Sequence, residues 1–148
     1  MPTQPDIIVT GEWPSDYRLV VEVKVRGEAE AAETQLMRHL IDYNCSFGLL
    51  VTADELRVVK DTGRYLGMTT YERIAVHPLP EELRVHATSE VVLARAVQDW
   101  LERLVDQGID IVEDDDLAAT LRDEVIPRLR GSDISAGRPP WPVEAVAR

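Results

Sequence analysis

The 148-residue chain holds a single cysteine, Cys45. An internal disulfide and a thiolate metal cluster are therefore both excluded, and a reducing cytoplasm suits such a composition. Long apolar runs are missing too. The longest are strand-sized, far short of the ~20 residues that a membrane-spanning helix needs, so no membrane partner is expected. The opening Met-Pro-Thr-Gln-Pro-Asp has neither a basic stretch nor an apolar core, and so does not read as a secretory signal. Basic residues are outnumbered, with 16 Lys and Arg against 27 Asp and Glu, for a formal net charge of −11. Phosphate binding draws on Lys and Arg, so this balance speaks against a domain that holds nucleic acid by its bulk charge. A local basic patch, a partner or bridging metal ions would have to supply what the overall charge does not. Phosphate-binding glycine loops, dinucleotide fingerprints and zinc-ligand spacings are absent as well.

What is present is one domain's worth of chain, 45% hydrophobic and 29% charged, enough for a real core. Its most informative stretch is Pro5-Asp6-Ile7-Ile8-Val9-Thr10, a short turn, and then Tyr17 to Val25. Both halves are rich in Val and Ile and bounded by turn residues, which predicts two strands. The intervening Gly11-Glu12-Trp13-Pro14-Ser15-Asp16 carries turn chemistry, so the strands read as an antiparallel hairpin. Alternation places Leu19, Val21, Val23 and Val25 on one face, and Arg18, Val20, Glu22, Lys24 and Arg26 on the other. A turn centred on Trp13 to Ser15 sets Asp6 opposite Glu22, with Cβ atoms roughly 4.5–5.5 Å apart. Two carboxylates that close repel each other, and a shared hard cation such as Mg2+ relieves the repulsion.

Further along, Ala29 to Tyr43 is rich in strong helix formers. Leu36, Met37, Leu40, Ile41 and Asn44 mark its expected inward stripe, and Gln35, Arg38, His39 and Asp42 another face. Phe47 to Thr52 reads as a buried strand, Leu56 to Lys60 as its hairpin partner, and Tyr71 to His77 as an edge strand stopped by Pro78 and Pro80. Residues 78–88 read as a connector. Ser89 caps a helix expected to run to Gln107, with Gly108 as its stop. Asp114 to Asp116 favour the start of a last helix, Leu117 to Val125, which Pro127 should kink or end. The reading is one domain over residues 1–130 and a Pro/Gly-rich tail over 131–148, including Arg138-Pro139-Pro140-Trp141-Pro142.

A Pro-Asp, an interval and Glu-x-Lys on a strand, followed by a helix bearing Gln and a further strand, resembles the PD-(D/E)xK nuclease superfamily. The run from Glu33 to Asp61 is similar to the N-terminal nuclease domain of type I restriction motor subunits. The likeness spans about residues 5–61. It implies an α/β fold, a restriction-endonuclease-like mixed sheet of four to five strands with packed helices. The family's first helix and strand, which often supply a further carboxylate, are absent before Pro5. Late helices or another subunit, such as a second copy in a homodimer, would then cover the vacant sheet face.

The resemblance also implies a chemistry. Asp6, Glu22 and the Val23 carbonyl would hold Mg2+, with Mn2+ as a substitute, and Lys24 would stabilise charge at the scissile phosphate. Gln35 would orient water, lysine or backbone. Arg38 and His39 would contact substrate; His39 stands where family members often carry Tyr. The expected activity is metal-dependent hydrolysis of phosphodiesters in nucleic acid, DNA in the first place. Each residue also has a plainer reading. Glu22 and Lys24 suit the solvent face of an amphipathic strand, Asp6 suits a strand-start turn, and His39 suits the edge of a core. Glu28, Glu30 and Glu33 suit the acidic first turn of a helix. Cys45 has no basic partner that would make it a nucleophile. The rival reading is a non-catalytic scaffold or oligomerisation module on a shortened nuclease fold.

Overall fold

The Val- and Ile-rich segments pair into a mixed sheet of six strands, one more than the upper end of the expected range. The structure, a computed structural model, describes residues 4–63 and 70–137. In chain order come β1 (Ile7–Thr10), β2 (Tyr17–Lys24), α1 (Ala29–Asp42), β3 (Phe47–Thr52), β4 (Glu55–Asp61) and β5 (Tyr71–Pro78). There follow α2 (Glu81–Arg84), α3 (Glu90–Gln107), α4 (Asp115–Thr120), α5 (Ile126–Leu129) and β6 (Asp133–Ala136). The strands lie in the order β5-β4-β3-β2-β1-β6. β2 and β3 run parallel, joined by α1, and every other neighbouring pair is antiparallel. The extra strand lies within the stretch read as a tail, where residues 133–136 pair with β1. The Arg138–Pro142 run of that tail lies outside the described residues.

Alternation along the strands sorts the core into two layers. Ile7, Val9, Leu19, Val21, Val23, Leu49, Val51 and Val58 point to the side where Leu93, Val97, Trp100 and Leu101 of α3 pack, with Leu117, Leu121 and Leu129 beside them. Ile8, Val20, Leu50 and Val59 point to the other side, against Ala32, Leu36 and Leu40 of α1. The late helices thus cover one sheet face and α1 the other. Gly48 of β3 makes room for α1: a Cβ there would come 2.9 Å from Leu36 Cδ1.

The inward face of α1 differs from the expected stripe. Ala32, Glu33, Leu36, His39 and Leu40 are its buried residues, whereas Ile41 is 63% exposed. The helix is rotated so that two polar side chains, Glu33 and His39, face polar partners on the sheet. Ser89 caps α3 as predicted, its hydroxyl accepting from the Val92 N–H at 3.2 Å. Gly108 ends that helix at φ 74°, a conformation that glycine adopts without cost. Near Pro127 the chain does not stop but passes through a π-turn, Leu121–Val125, into α5. The looser spacing ahead of a residue without an N–H is a known accommodation. Among the described residues no helix is long and apolar enough to cross a membrane.

Candidate functional site

The β1–β2 register decides where the two carboxylates meet. Ile7 pairs with Val21 and Ile8 with Val20, so one step further sets Asp6 against Glu22. Asp6 is anchored twice: its N–H donates to the Val21 carbonyl at 3.0 Å, and its Oδ2 accepts from the Val23 N–H at 2.7 Å. The contact between Asp6 and Val23 therefore runs through the Val23 amide. Burial pushes the Asp6 carboxyl up to about 6, against the pull of the Val23 N–H, and the nearby Glu22 and Glu90 carboxylates raise it further. A carboxylate that resists ionisation beside other carboxylates is a group that a cation would relieve.

Glu22 faces α1 and is 6% exposed. Its Oε2 stands 3.1 Å from Nε2 of His39, yet the two are not aligned for a hydrogen bond, and each lacks any hydrogen-bond partner. His39 is itself 3% exposed. The structure thus places this expected substrate contact at a buried position beside Glu22, closer to its plainer reading as a core-edge residue, because α1 turns this face to the sheet. Gln35 lies half-buried one turn earlier on α1, and Arg38 is exposed on the same helix. Lys24 reaches the end of β2, where its Nζ pairs with Glu90 Oε1 at 3.6 Å, both side chains about two-fifths exposed.

Glu90 is the site residue that sequence reasoning missed. As the first residue of α3, after the Ser89 cap, it reads locally as one more acidic residue at a helix start. Only the packing of α3 across the sheet brings it to Lys24 and Asp6, and no local spacing announces that. Lys60, by contrast, does not join the site. It pairs with Phe47 at the start of β3, while Lys24 pairs with Thr52 at its end, so the two are roughly 16 Å apart along the strand. Lys60 is held by Glu124 at 3.2 Å.

Two of the α1 glutamates are committed elsewhere. Arg57 of β4 lies across Leu50 from Glu22. Its Nη1 donates to Glu33 Oε2 at 2.7 Å and to Glu30 Oε1 at 3.0 Å, and its Nη2 to Glu55 Oε1 at 2.9 Å. Glu30 and Glu33 thus neutralise a buried guanidinium. Cys45 is buried, its thiol pushed up to about 11 by burial, which fits an inert residue.

Among the described residues no group of three or more His, Cys, Asp and Glu side chains comes together to hold a metal ion. Asp6 and Glu22 offer a narrower donor set of two carboxylates, one with a buried oxygen lacking a hydrogen-bond partner. Such a pair suits a hard cation that takes its remaining ligands from water and a substrate phosphate, as Mg2+ commonly does. No family model matches the chain, and neither a curated protein nor a solved structure matches it.

Proposed function

We propose that the chain is a metal-dependent phosphodiester hydrolase acting on nucleic acid, DNA in the first place, with a restriction-endonuclease-like arrangement of its sheet. The observation that carries this reading is the nearness of Asp6, one residue before β1, to Glu22 of β2, with Asp6 raised to about 6 and Glu22 Oε2 buried without a hydrogen-bond partner. The order of elements supports it: the carboxylate hairpin, the Gln35 helix and a strand parallel to β2 follow one another as the superfamily resemblance implies. Asp6 and Glu22 would hold Mg2+ or Mn2+, which when bound polarises the phosphate and lowers the pKa of an attacking water. Lys24, two residues beyond Glu22 and partly exposed, would leave Glu90 for the phosphate and stabilise its developing charge. Gln35, one turn before His39, would orient the water or the lysine. Arg38, exposed on α1, would touch the substrate backbone. With a net charge of −11, binding would depend on these few groups and on the cation, and would weaken with salt.

The experiment is nicking of supercoiled plasmid with Mg2+ or Mn2+. Wild type should nick, Lys24→Ala should bind Mn2+ but nick at least about a hundredfold more slowly, and Glu22→Ala should do neither. A wild type that binds metal and cleaves no DNA or RNA would turn the reading toward a different phosphoester.

A second reading, a non-catalytic scaffold on the same fold, is favoured by one specific feature. Glu22 already stands against His39 and Lys24 against Glu90, so both key charges have internal counterparts. The scaffold reading expects no metal binding at all.

A further inference from the structure

The buried half of the proposed site has an anomaly that its exposed half lacks. Lys24 and Glu90 form an ordinary surface pair at 3.6 Å, screened by water and easily exchanged for another partner. Glu22 and His39 are different. Both are more than nine-tenths buried, their Oε2 and Nε2 atoms stand 3.1 Å apart, and the contact is out of line for a hydrogen bond, with no other bond to either atom. Buried polar atoms in native proteins are normally satisfied, because an unmade bond costs the full desolvation of the group. A carboxylate oxygen in an out-of-line contact is open to a partner that aligns with it better.

We propose that His39 is a gate on Glu22: the imidazole occupies the space beside Oε2, and a divalent cation engages Glu22 by displacing it. The inference rests on reading Asp6 and Glu22 as cation ligands, and adds how access to them is controlled. His39 acts as a competitor here, not as a third ligand, for two reasons. Asp6, Glu22 and His39 do not come together as a metal-holding group, and a hard cation of the Mg2+ type selects oxygen over imidazole donors. The backbone is suited to the exchange. Leu36 and Leu40 fix α1 on the sheet beside Leu50, Val20 and Ile8, so the exchange calls for movement of the ring and not of the helix. Of the other two histidines, His77 is engaged by Thr120 at 2.8 Å and His86 lies between α2 and α3.

The direction of one effect decides the matter. When a binding-competent state is only partly populated, apparent affinity falls by that fraction. Removing the competitor should therefore tighten Mn2+ binding, whereas removing a ligand should weaken it. The shorter side chain of His39→Asn withdraws from Glu22 while leaving a polar group in place. Calorimetric titration of the full chain with Mn2+ should give a Kd for His39→Asn roughly five- to tenfold below that of wild type, with no binding by His39→Asn/Glu22→Ala. An equal or weaker Kd in His39→Asn, with wild type binding, overturns the gate and leaves the cation site standing. No binding by wild type or His39→Asn at millimolar Mn2+ overturns both. If circular dichroism shows that His39→Asn does not fold, wild type labelled with 15N at histidine carries the test. Saturation with diamagnetic Mg2+ should shift the His39 ring nitrogens and leave those of His77 and His86 in place; unmoved His39 signals overturn the gate.

Discussion

Replacing Asp6 by Asn should separate the stability of the hairpin from its chemistry. The Asp6 carboxyl is raised from 3.8 to about 6, chiefly by burial and then by Glu22 and Glu90, against the Val23 N–H. A group with a raised folded-state pKa contributes stability that is fully present below its unfolded value and lost as pH rises through its folded value. Here the loss falls between about pH 4 and 6. A shift of about two units corresponds to about 3 kcal/mol at most. Asp6 is only partly buried, so solvent screening reduces this to roughly 1–2 kcal/mol. Asn keeps a carbonyl oxygen to accept from the Val23 N–H and has no charge to desolvate. Urea unfolding at fixed pH should therefore find Asp6→Asn more stable than wild type by roughly 1–2 kcal/mol at pH 7, the difference closing toward pH 4. Added Mn2+ should stabilise wild type above pH 6 and leave Asp6→Asn unchanged. A variant less stable than wild type at pH 7, or a difference that does not vary with pH, would refute the electrostatic account of Asp6.

Other consequences follow from the packing. Arg57→Met leaves Glu33 buried without its guanidinium, and should lower stability by about 3–5 kcal/mol in urea unfolding. The double variant Arg57→Met/Glu33→Leu should recover most of it, and a single-variant loss under about 1 kcal/mol would contradict a buried pair. Trp100→Ala empties the largest fully buried side chain and should cost about 3–5 kcal/mol by the same assay. Gly48→Val forces α1 from the sheet, because even a Cβ meets Leu36 Cδ1 at 2.9 Å, and should cost about 1–3 kcal/mol. Cys45, with its thiol at about 11, should resist iodoacetamide at pH 8 in the native protein and react readily in denaturant.

The parts of the fold that were legible are those set by local chemistry. The turn residues between β1 and β2 announce the hairpin, but the meeting of Asp6 and Glu22 also needs the one-residue irregularity between Val9 and Thr10, where the pairing steps from Thr10 with Tyr17 to Val9 with Leu19. Ser89 and Gly108 bracket α3 because caps act within a turn of the residues they serve. What was hidden depended on distant partners. The apolar residues of α1 suggested Ile41 as inward, whereas it is exposed; Glu22 and Arg57 beneath the helix need polar neighbours, and so His39 and Glu33 turn in. β6 is four residues with one β-branched apolar side chain, Ile134, and exists because β1 offers it an edge. Glu90 lies 66 positions from Lys24 in the chain, and only the layer of α3 over the sheet brings the two together.

The most direct test of the account is calorimetric titration of Mn2+ into wild type and Glu22→Ala, with folding of both verified by circular dichroism. If Asp6 and Glu22 are cation ligands, wild type binds Mn2+ in the micromolar to millimolar range and Glu22→Ala binds none. Absence of binding by folded wild type at millimolar Mn2+, or undiminished binding by Glu22→Ala, would contradict it.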